Sequence, residues 1–213
     1  MYLQTALIAA TFATLSTLAT AAPVPSASPS GGLTAAIITT ILPATAACTG
    51  TDQYANQCRT AEQAAPLINN SFKKYGISSK AEQVALLSIM LFESVGFKYN
   101  HNISPGRPGQ GTRNMQMIGF NLQYAQSLFP PDKVAAANAS GPNDVLALVN
   151  TDDYSFASAA WFLTSQPACS AIRTELQTGS TAGWTAYLTQ CVGTTDTPDR
   201  DVIWNAAKAA MGV

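Results

Sequence analysis

The segment over residues 84–92 (VALLSIMLF) constrains the fold most, because it is apolar almost without interruption. A helix that is apolar nearly all round is buried on most of its sides, so other elements have to surround it. Ser79 and Glu82 precede the segment with the spacing of a capping box, and Gly96 follows it as a stop signal. This spacing predicts a central buried helix over 80–95.

Helical signals continue along most of the chain. Thr60 and Gln63 form a second capping-box pattern ahead of a helix over 61–75. Further helices are expected over 119–128, 132–138, 143–149, 152–165, 168–178, 181–190 and from Pro198 to Gly212. No segment alternates apolar and polar residues for long, and only 111–118 suggests a small hairpin. The sequence therefore predicts a mainly α fold.

The beginning of the chain has the pattern of a secretory signal peptide. An apolar stretch, too short to span a bilayer, ends in Ala19-Thr20-Ala21, the small-x-small pattern of a cleavage site. We expect residues 1–21 to be a signal peptide, 22–47 a linker or propeptide segment, and 48–213 the folded domain. Within the second segment, residues 33–42 are either a propeptide piece or a short helix that packs on the domain. The mature protein is expected to be secreted and free of the membrane.

Four cysteines agree with an oxidising destination. Three pairings are possible, and the spacing favours the two local ones, Cys48–Cys58 and Cys169–Cys191. A metal site is the alternative, but it is disfavoured because no paired CxxC occurs. We therefore expect two disulfides and no metal.

Three Asn-x-Ser sequons occur, at Asn69, Asn102 and Asn138. They are candidate glycosylation sites if the source is eukaryotic.

Charge and composition exclude two classes of protein. Only 11% of the residues are charged and the net charge is −1, so the chain lacks the basic face of a nucleic-acid binder. With 47% hydrophobic residues the chain also differs from a disordered one. We expect a monomer without a cofactor.

Glu93 is the first candidate for chemistry, because it lies in the last turn of the expected buried helix. Ile89 and Met90, on the same helix face, are both apolar. Loss of hydration raises the pKa of a carboxyl group, and a carboxyl that keeps its proton near neutral pH suits a general acid for glycoside cleavage. The alternative is a side chain that emerges into solvent as the helix ends.

The residues around Glu93 carry a resemblance to a known family. Glu93-Ser94 is followed by Phe97 after a glycine, by a Gly-rich loop, and by Met115-Gln116-Met117. In this order they resemble the lysozyme-like superfamily, most closely the goose-type lysozymes and soluble lytic transglycosylases. The resemblance covers roughly residues 60–211.

This resemblance implies a helical domain in which Glu93 is the catalytic acid. It also implies that Gln116 contacts the substrate. Ser94, beside the catalytic residue, is a further candidate for substrate binding. Arg113 and Asn114 depart from the family pattern, which usually has Gly and Leu there, and this departure leaves the shape of the substrate cleft open.

A second catalytic carboxylate is not evident from the sequence. Asp152 and Asp153 are possible substrate-binding or water-activating residues, since an inverting glycosidase needs such a group. An Asp at a helix start is, however, more often an N-cap. Lytic transglycosylases need only one Glu, so hydrolysis and transglycosylation both stay open.

The loop after Glu93 contains four cationic or titratable side chains and no acid: Lys98, His101, Arg107 and Arg113. They predict either a basic rim that attracts an anionic glycan or a solvated loop. His101, the only histidine, is a candidate for contact with the substrate, and Tyr99 is a candidate for stacking on a sugar.

Together these patterns predict a secreted muramidase-like glycosidase that cleaves the β-1,4 bonds of a polysaccharide, peptidoglycan first. A chitinase, a chitosanase or a lytic transglycosylase is the alternative among enzymes. The alternative of another class is a non-catalytic secreted protein that binds glycans or acts as an effector.

Overall fold

Helices make up most of the chain in the computed structural model, which describes residues 32–50 and 52–213. These residues form ten α-helices: α1 Ala35–Ile41, α2 Ala61–Lys74, α3 Lys80–Glu93, α4 Ile118–Leu128, α5 Pro131–Ser140, α6 Pro142–Val149, α7 Asp152–Ser165, α8 Pro167–Leu176, α9 Thr181–Ala186 and α10 Pro198–Met211. A π-helical segment, Tyr187–Val192, continues α9. The predicted mainly α fold is confirmed.

Helix α3 lies at the centre of the domain, as its apolar sequence requires. It packs against α7, α8 and α10, while α2 packs on α7 and α4 on α6. Ten of the fourteen residues of α3 are buried. The predicted burial of this helix is therefore confirmed.

The two capping boxes differ in outcome. Thr60 and Gln63 exchange both bonds of the box at the start of α2. At the start of α3, Ser79 accepts a bond from the Glu82 backbone, but the Glu82 carboxylate turns away to Arg173 on α8. The expectation that Glu82 completes a capping box is therefore wrong. Its side chain is 1% exposed, and the arginine supplies the charge partner that such burial demands.

The compact unit extends from Gly32 to Val213 and so begins earlier than the expected start at Cys48. Helix α1 packs on α2 and α10 with Ile38 fully buried. Asn69 on α2 fixes the residues just before this helix. Its side-chain amide accepts a hydrogen bond from the Leu33 backbone N–H and donates one to the Leu33 carbonyl. The expected signal peptide over 1–21 lies outside the described residues.

Two disulfides link Cys48 to Cys58 and Cys169 to Cys191, the local pairing that the spacing favours. The second joins α8 to the π-helical segment. Within residues 32–50 and 52–213, no helix is both long and apolar enough to cross a membrane.

The suggested hairpin over 111–118 is replaced by single antiparallel bridges. Gly111 pairs with His101 on one side and with Gln116 on the other. A Cβ on Gly111 would lie 2.7 Å from the Asn100 carbonyl oxygen, so only glycine permits this close approach. The bridges fold the loop back beside the end of α3.

Candidate functional site

Glu93 lies in a surface groove at the end of α3. One cavity of about 420 Å³ and another of about 410 Å³ meet at this residue. Both are also lined by Gln110 and Met115. We call the two cavities together the Glu93 groove. Glu93 therefore lies beside a cleft.

Two turns with unusual backbone geometry border the groove. Val95 and Phe97, on either side of Gly96, have φ values of 54° and 65°. Across the groove Thr112 and Met115 have φ values of 64° and 49°. Non-glycine residues rarely adopt this left-handed region, and each costs on the order of 1–2 kcal/mol. The surrounding fold holds both turns in place at this cost.

Ser94 fixes the first of these turns and does not line the groove. It is fully buried, its hydroxyl donates to the Met90 carbonyl, and it accepts a bond from the Phe97 backbone N–H. The structure therefore gives Ser94 a positioning contact, whereas the sequence suggested contact with a ligand.

The Glu93 carboxylate has a charged partner that the sequence did not reveal. Arg200 on α10 approaches its Oε1 to 2.7 Å. The guanidinium is itself about nine-tenths buried and lies 4.1 Å from the centre of the Phe92 ring. The surroundings of Glu93, expected to be apolar, therefore include the guanidinium of Arg200 on one side.

Gln116 lines the groove, but both ends of its amide are bonded inside the protein. Its Oε1 accepts from Asn114, and its Nε2 donates to Asn121. Asn114 in turn accepts from the hydroxyls of Thr112 and Ser158. Such a fully connected buried network rigidifies the turn that carries it.

An aromatic wall closes one side of the groove. Phe120 and Phe162 meet edge to face with their ring centres 4.8 Å apart, and both line the cavity. Tyr187 lies beside them, and burial, followed by the charge of Glu93, raises the pKa of its phenol. Tyr187 therefore stays a neutral hydrogen-bonding group throughout the physiological range.

Arg113 is fully buried and so is no part of a basic rim. Its guanidinium donates to the backbone carbonyls of Phe97, Tyr99 and Gln57. Burial lowers its pKa to about 10. This residue therefore ties two loops together.

Asp152 and Asp153 do not line the groove. Asp152 bonds Arg59 at 2.6 Å and lies 3.6 Å from Arg113, so it balances the charge of the buried arginine. Asp153 is exposed on the first turn of α7. The suggestion that either residue activates a water beside Glu93 therefore lacks geometric support.

Tyr99 and His101 line the groove next to Glu93, as expected from the sequence. Tyr54 meets the rings of both edge to face, at 5.8 Å and 6.1 Å between ring centres. Partial burial lowers the pKa of His101. The ring is therefore mostly neutral near pH 7.

The three sequons differ in their environments. Asn138 is exposed on α5, Asn102 accepts two backbone bonds within its loop, and Asn69 is bonded to Leu33. Glycosylation at these residues stays a prediction.

Gln110 and Arg200 are the groove residues that sequence reasoning missed. Both contain a side-chain atom that is covered from water and has no partner among the described residues, Gln110 Oε1 and Arg200 Nη1. Arg200 lies over a hundred positions after Glu93, and no local pattern connects them. The Gly-rich loop around Gln110 was the only signal available for that residue.

Comparison with known proteins gives one informative relative. The chain is 41% identical over 159 residues to a bifunctional dioxygenase–epoxy alcohol synthase of Fusarium oxysporum. This match covers 71% of the chain but only 12% of the relative. No family model and no solved structure matches the chain.

The relative is named as an enzyme with two activities, neither of which is glycoside hydrolysis. The predicted function as a muramidase is therefore wrong, and the chitinase, chitosanase and lytic transglycosylase alternatives fall with it. The predicted roles in peptidoglycan hydrolysis and cell-wall degradation are wrong for the same reason. The resemblance to the lysozyme-like superfamily is tested by none of these comparisons and stays a prediction, as does the catalytic assignment of Glu93.

Proposed function

We propose that the chain binds a segment of a polysaccharide in the Glu93 groove. The observation that carries the proposal is the groove itself, in which two cavities of similar size meet at one carboxylate. An extended ligand fits this shape better than a compact one. The proposal concerns binding and assigns no bond cleavage.

The lining supports a ligand with both hydroxyl groups and apolar faces, as a sugar chain has. Polar groups are supplied by Glu93, Asn114 and Thr194, while Phe120 and Phe162 form the apolar wall. Ligand sites commonly combine an apolar lining with a few placed polar groups in this way. Only one oxygen of Glu93 bonds Arg200, which leaves Oε2 to accept from a ligand hydroxyl.

A titration with soluble chitin oligomers and peptidoglycan fragments tests the proposal. Met117→Trp fills the groove from its rim, because Met117 is 42% exposed and lines the cavity. We expect affinity to fall at least about tenfold, the equivalent of 1.4 kcal/mol. Val202→Trp is the matched control, since Val202 is 68% exposed on α10 and lies outside the lining. The titration is followed by calorimetry. The proposal is contradicted if no oligomer gives a heat of binding, or if the two variants bind with equal affinity.

The relative supplies a second candidate function. It is named in part as an epoxy alcohol synthase, and an epoxide is built across a former carbon–carbon double bond. We propose as the alternative that this chain takes part in such an oxygenation. Oxygen uptake by the purified chain with an unsaturated lipid tests it, with Met117→Trp as the variant that blocks the groove. The absence of uptake above a protein-free control rejects this candidate.

We further propose that the protein is secreted. Two disulfides support an oxidising destination. Amino-terminal sequencing of protein collected from the medium of an expressing eukaryotic culture tests it, with Ala22 expected as the first residue. Retention of the chain inside the cells contradicts it.

A further inference from the structure

A third cavity opens between the loop that carries His101 and helix α6, next to the Glu93 groove, with which it shares His101, Asn102 and Gln110. Its volume is about 470 Å³. We call it the asparagine cavity, because Asn102, Asn143 and Asn150 line it. From the hydrogen bonds of these asparagines we propose that the asparagine cavity binds an oxyanion, a carboxylate or a phosphate group.

Two of the three amides have an orientation fixed by the backbone. Asn102 accepts on Oδ1 from the backbone N–H groups of Gly106 and Arg107. Asn143 accepts on Oδ1 from the backbone N–H of Gly109. A backbone N–H can only donate, so these contacts fix which end of each amide is the oxygen. Asn150 pairs with the Ser155 hydroxyl, which can both donate and accept and therefore leaves its orientation open.

This orientation leaves the Nδ2 groups of Asn102 and Asn143 as donors. Among the described residues, neither Nδ2 atom donates to a partner. Each amide nitrogen carries two N–H groups. A surface of donors is complementary to a ligand that only accepts, and an oxyanion is such a ligand.

The charges around the cavity have the matching sign. Arg107 lines it, and among the side chains that the structure describes no aspartate or glutamate does. Asp144, the residue after Asn143, is exposed and does not belong to the lining. Arg107 is exposed at the rim, where a cation attracts an anion without being desolvated itself.

The loop is seated closely on α6, so the cavity exists before a ligand enters. A Cβ on Gly109 would lie 2.9 Å from the Pro142 carbonyl oxygen, and one on Gly111 would lie 2.8 Å from the Leu146 side chain. Because a preformed site avoids the entropy of ordering a loop, even a small anion can bind measurably. This inference goes beyond the polysaccharide proposal and does not depend on it.

Titration with inorganic phosphate, and separately with acetate, tests the inference by NMR at low ionic strength. We expect saturable shifts of the side-chain amide signals of Asn102 and Asn143 with at least one of the two anions. The anion that binds more tightly identifies the group as a phosphate or a carboxylate. The absence of a saturable shift with both anions overturns the proposal.

Asn143→Asp is the decisive variant. It keeps an oxygen to accept from Gly109 but replaces the donor Nδ2 with a second, charged oxygen. We expect affinity for the better anion to fall at least about tenfold, because a charge-assisted hydrogen bond is lost and a like charge is gained. Asn138→Asp on α5 makes the same chemical change outside the cavity and is expected to leave affinity unchanged. Equal affinity in the two variants contradicts the inference.

Arg107→Gln gives a second test that does not touch the internal hydrogen bonds of the loop side chains. Arg107 is exposed, so the fold is expected to be unaffected. Anion affinity is expected to fall, whereas Lys133→Gln, the removal of an exposed cation on α5, leaves it unchanged. Unchanged affinity in Arg107→Gln contradicts the role of this charge. Polysaccharide binding in the Glu93 groove, measured in Asn143→Asp, is expected to persist, so failure of one proposal is distinguishable from failure of the other.

Discussion

Replacing Arg113 by methionine tests whether this buried cation holds the site together. The guanidinium is 0% exposed and donates to the carbonyls of Phe97, Tyr99 and Gln57 at 2.8, 3.2 and 2.7 Å. Methionine has a similar length but no donor. Phe97 keeps a bond from the backbone N–H of Arg59, whereas the other two carbonyls lose the partner seen here.

The cost follows from these contacts. A buried polar group without a partner costs about 1–3 kcal/mol, so two such carbonyls cost about 2–6 kcal/mol. Asp152 loses one cation at 3.6 Å but keeps Arg59 at 2.6 Å, which adds little. The side chain also lies 4.7 Å from the centre of the Phe156 ring, a contact that methionine retains in part. We therefore expect a loss of about 4 kcal/mol in the free energy of unfolding.

Urea denaturation of the oxidised protein, followed by circular dichroism, measures this loss. Arg107→Met is the matched control, because Arg107 is exposed and makes no side-chain bond within the described chain. Surface substitutions of this kind stay within about 0.5 kcal/mol. A loss below about 1.5 kcal/mol for Arg113→Met would refute the reasoning, since the three carbonyls would then be satisfied without the arginine.

Three further outcomes are expected. Val95→Asn raises the free energy of unfolding by about 1 kcal/mol in urea denaturation, because Val95 is 55% exposed and β-branched at a φ of 54° that asparagine tolerates better; a loss of stability contradicts the strain argument. Replacing Cys169 and Cys191 together by alanine lowers the free energy of unfolding by about 3 kcal/mol, as expected for a loop of 22 residues. Equal stability of the double variant and the native protein in urea denaturation contradicts the loop-entropy argument. His101→Asn flattens stability against pH below about 6.5. Burial lowers the pKa of His101 in the folded state, so the stabilisation that the neutral ring contributes is complete above pH 6.5 and is lost as the pH falls through the pKa of the folded state. An unchanged dependence of the unfolding free energy on pH in the variant refutes this.

Local patterns predicted the helices well because helix signals are themselves local. The apolar run over 84–92 identified the central helix, and Thr60 with Gln63 located the start of α2. Glu82 shows where this reasoning ends. Its position matches a capping box, yet its partner Arg173 is 91 positions away and pairs with it only because α8 packs on α3. A tertiary contact therefore overrides the local preference of a side chain.

The candidate site was predictable to the same extent. The position of Glu93 at the end of a buried helix followed from its own sequence, and its neighbours Tyr99 and His101 followed from the loop. Arg113, in contrast, was grouped with exposed cations on the basis of its type. It is buried because carbonyls from two loops converge on it, a convergence that no spacing pattern contains.

The identity of the partner of Glu93 determines what this carboxylate can do. Ile89 and Met90 lie beside it on its own helix, and Arg200 reaches it from α10 at 2.7 Å. The ion pair holds one carboxylate oxygen in place and leaves Oε2 to accept a hydrogen bond from a ligand. Binding in the groove follows from this geometry, and the partner that holds the carboxylate lies on a helix distant in sequence from the motif that first drew attention to Glu93.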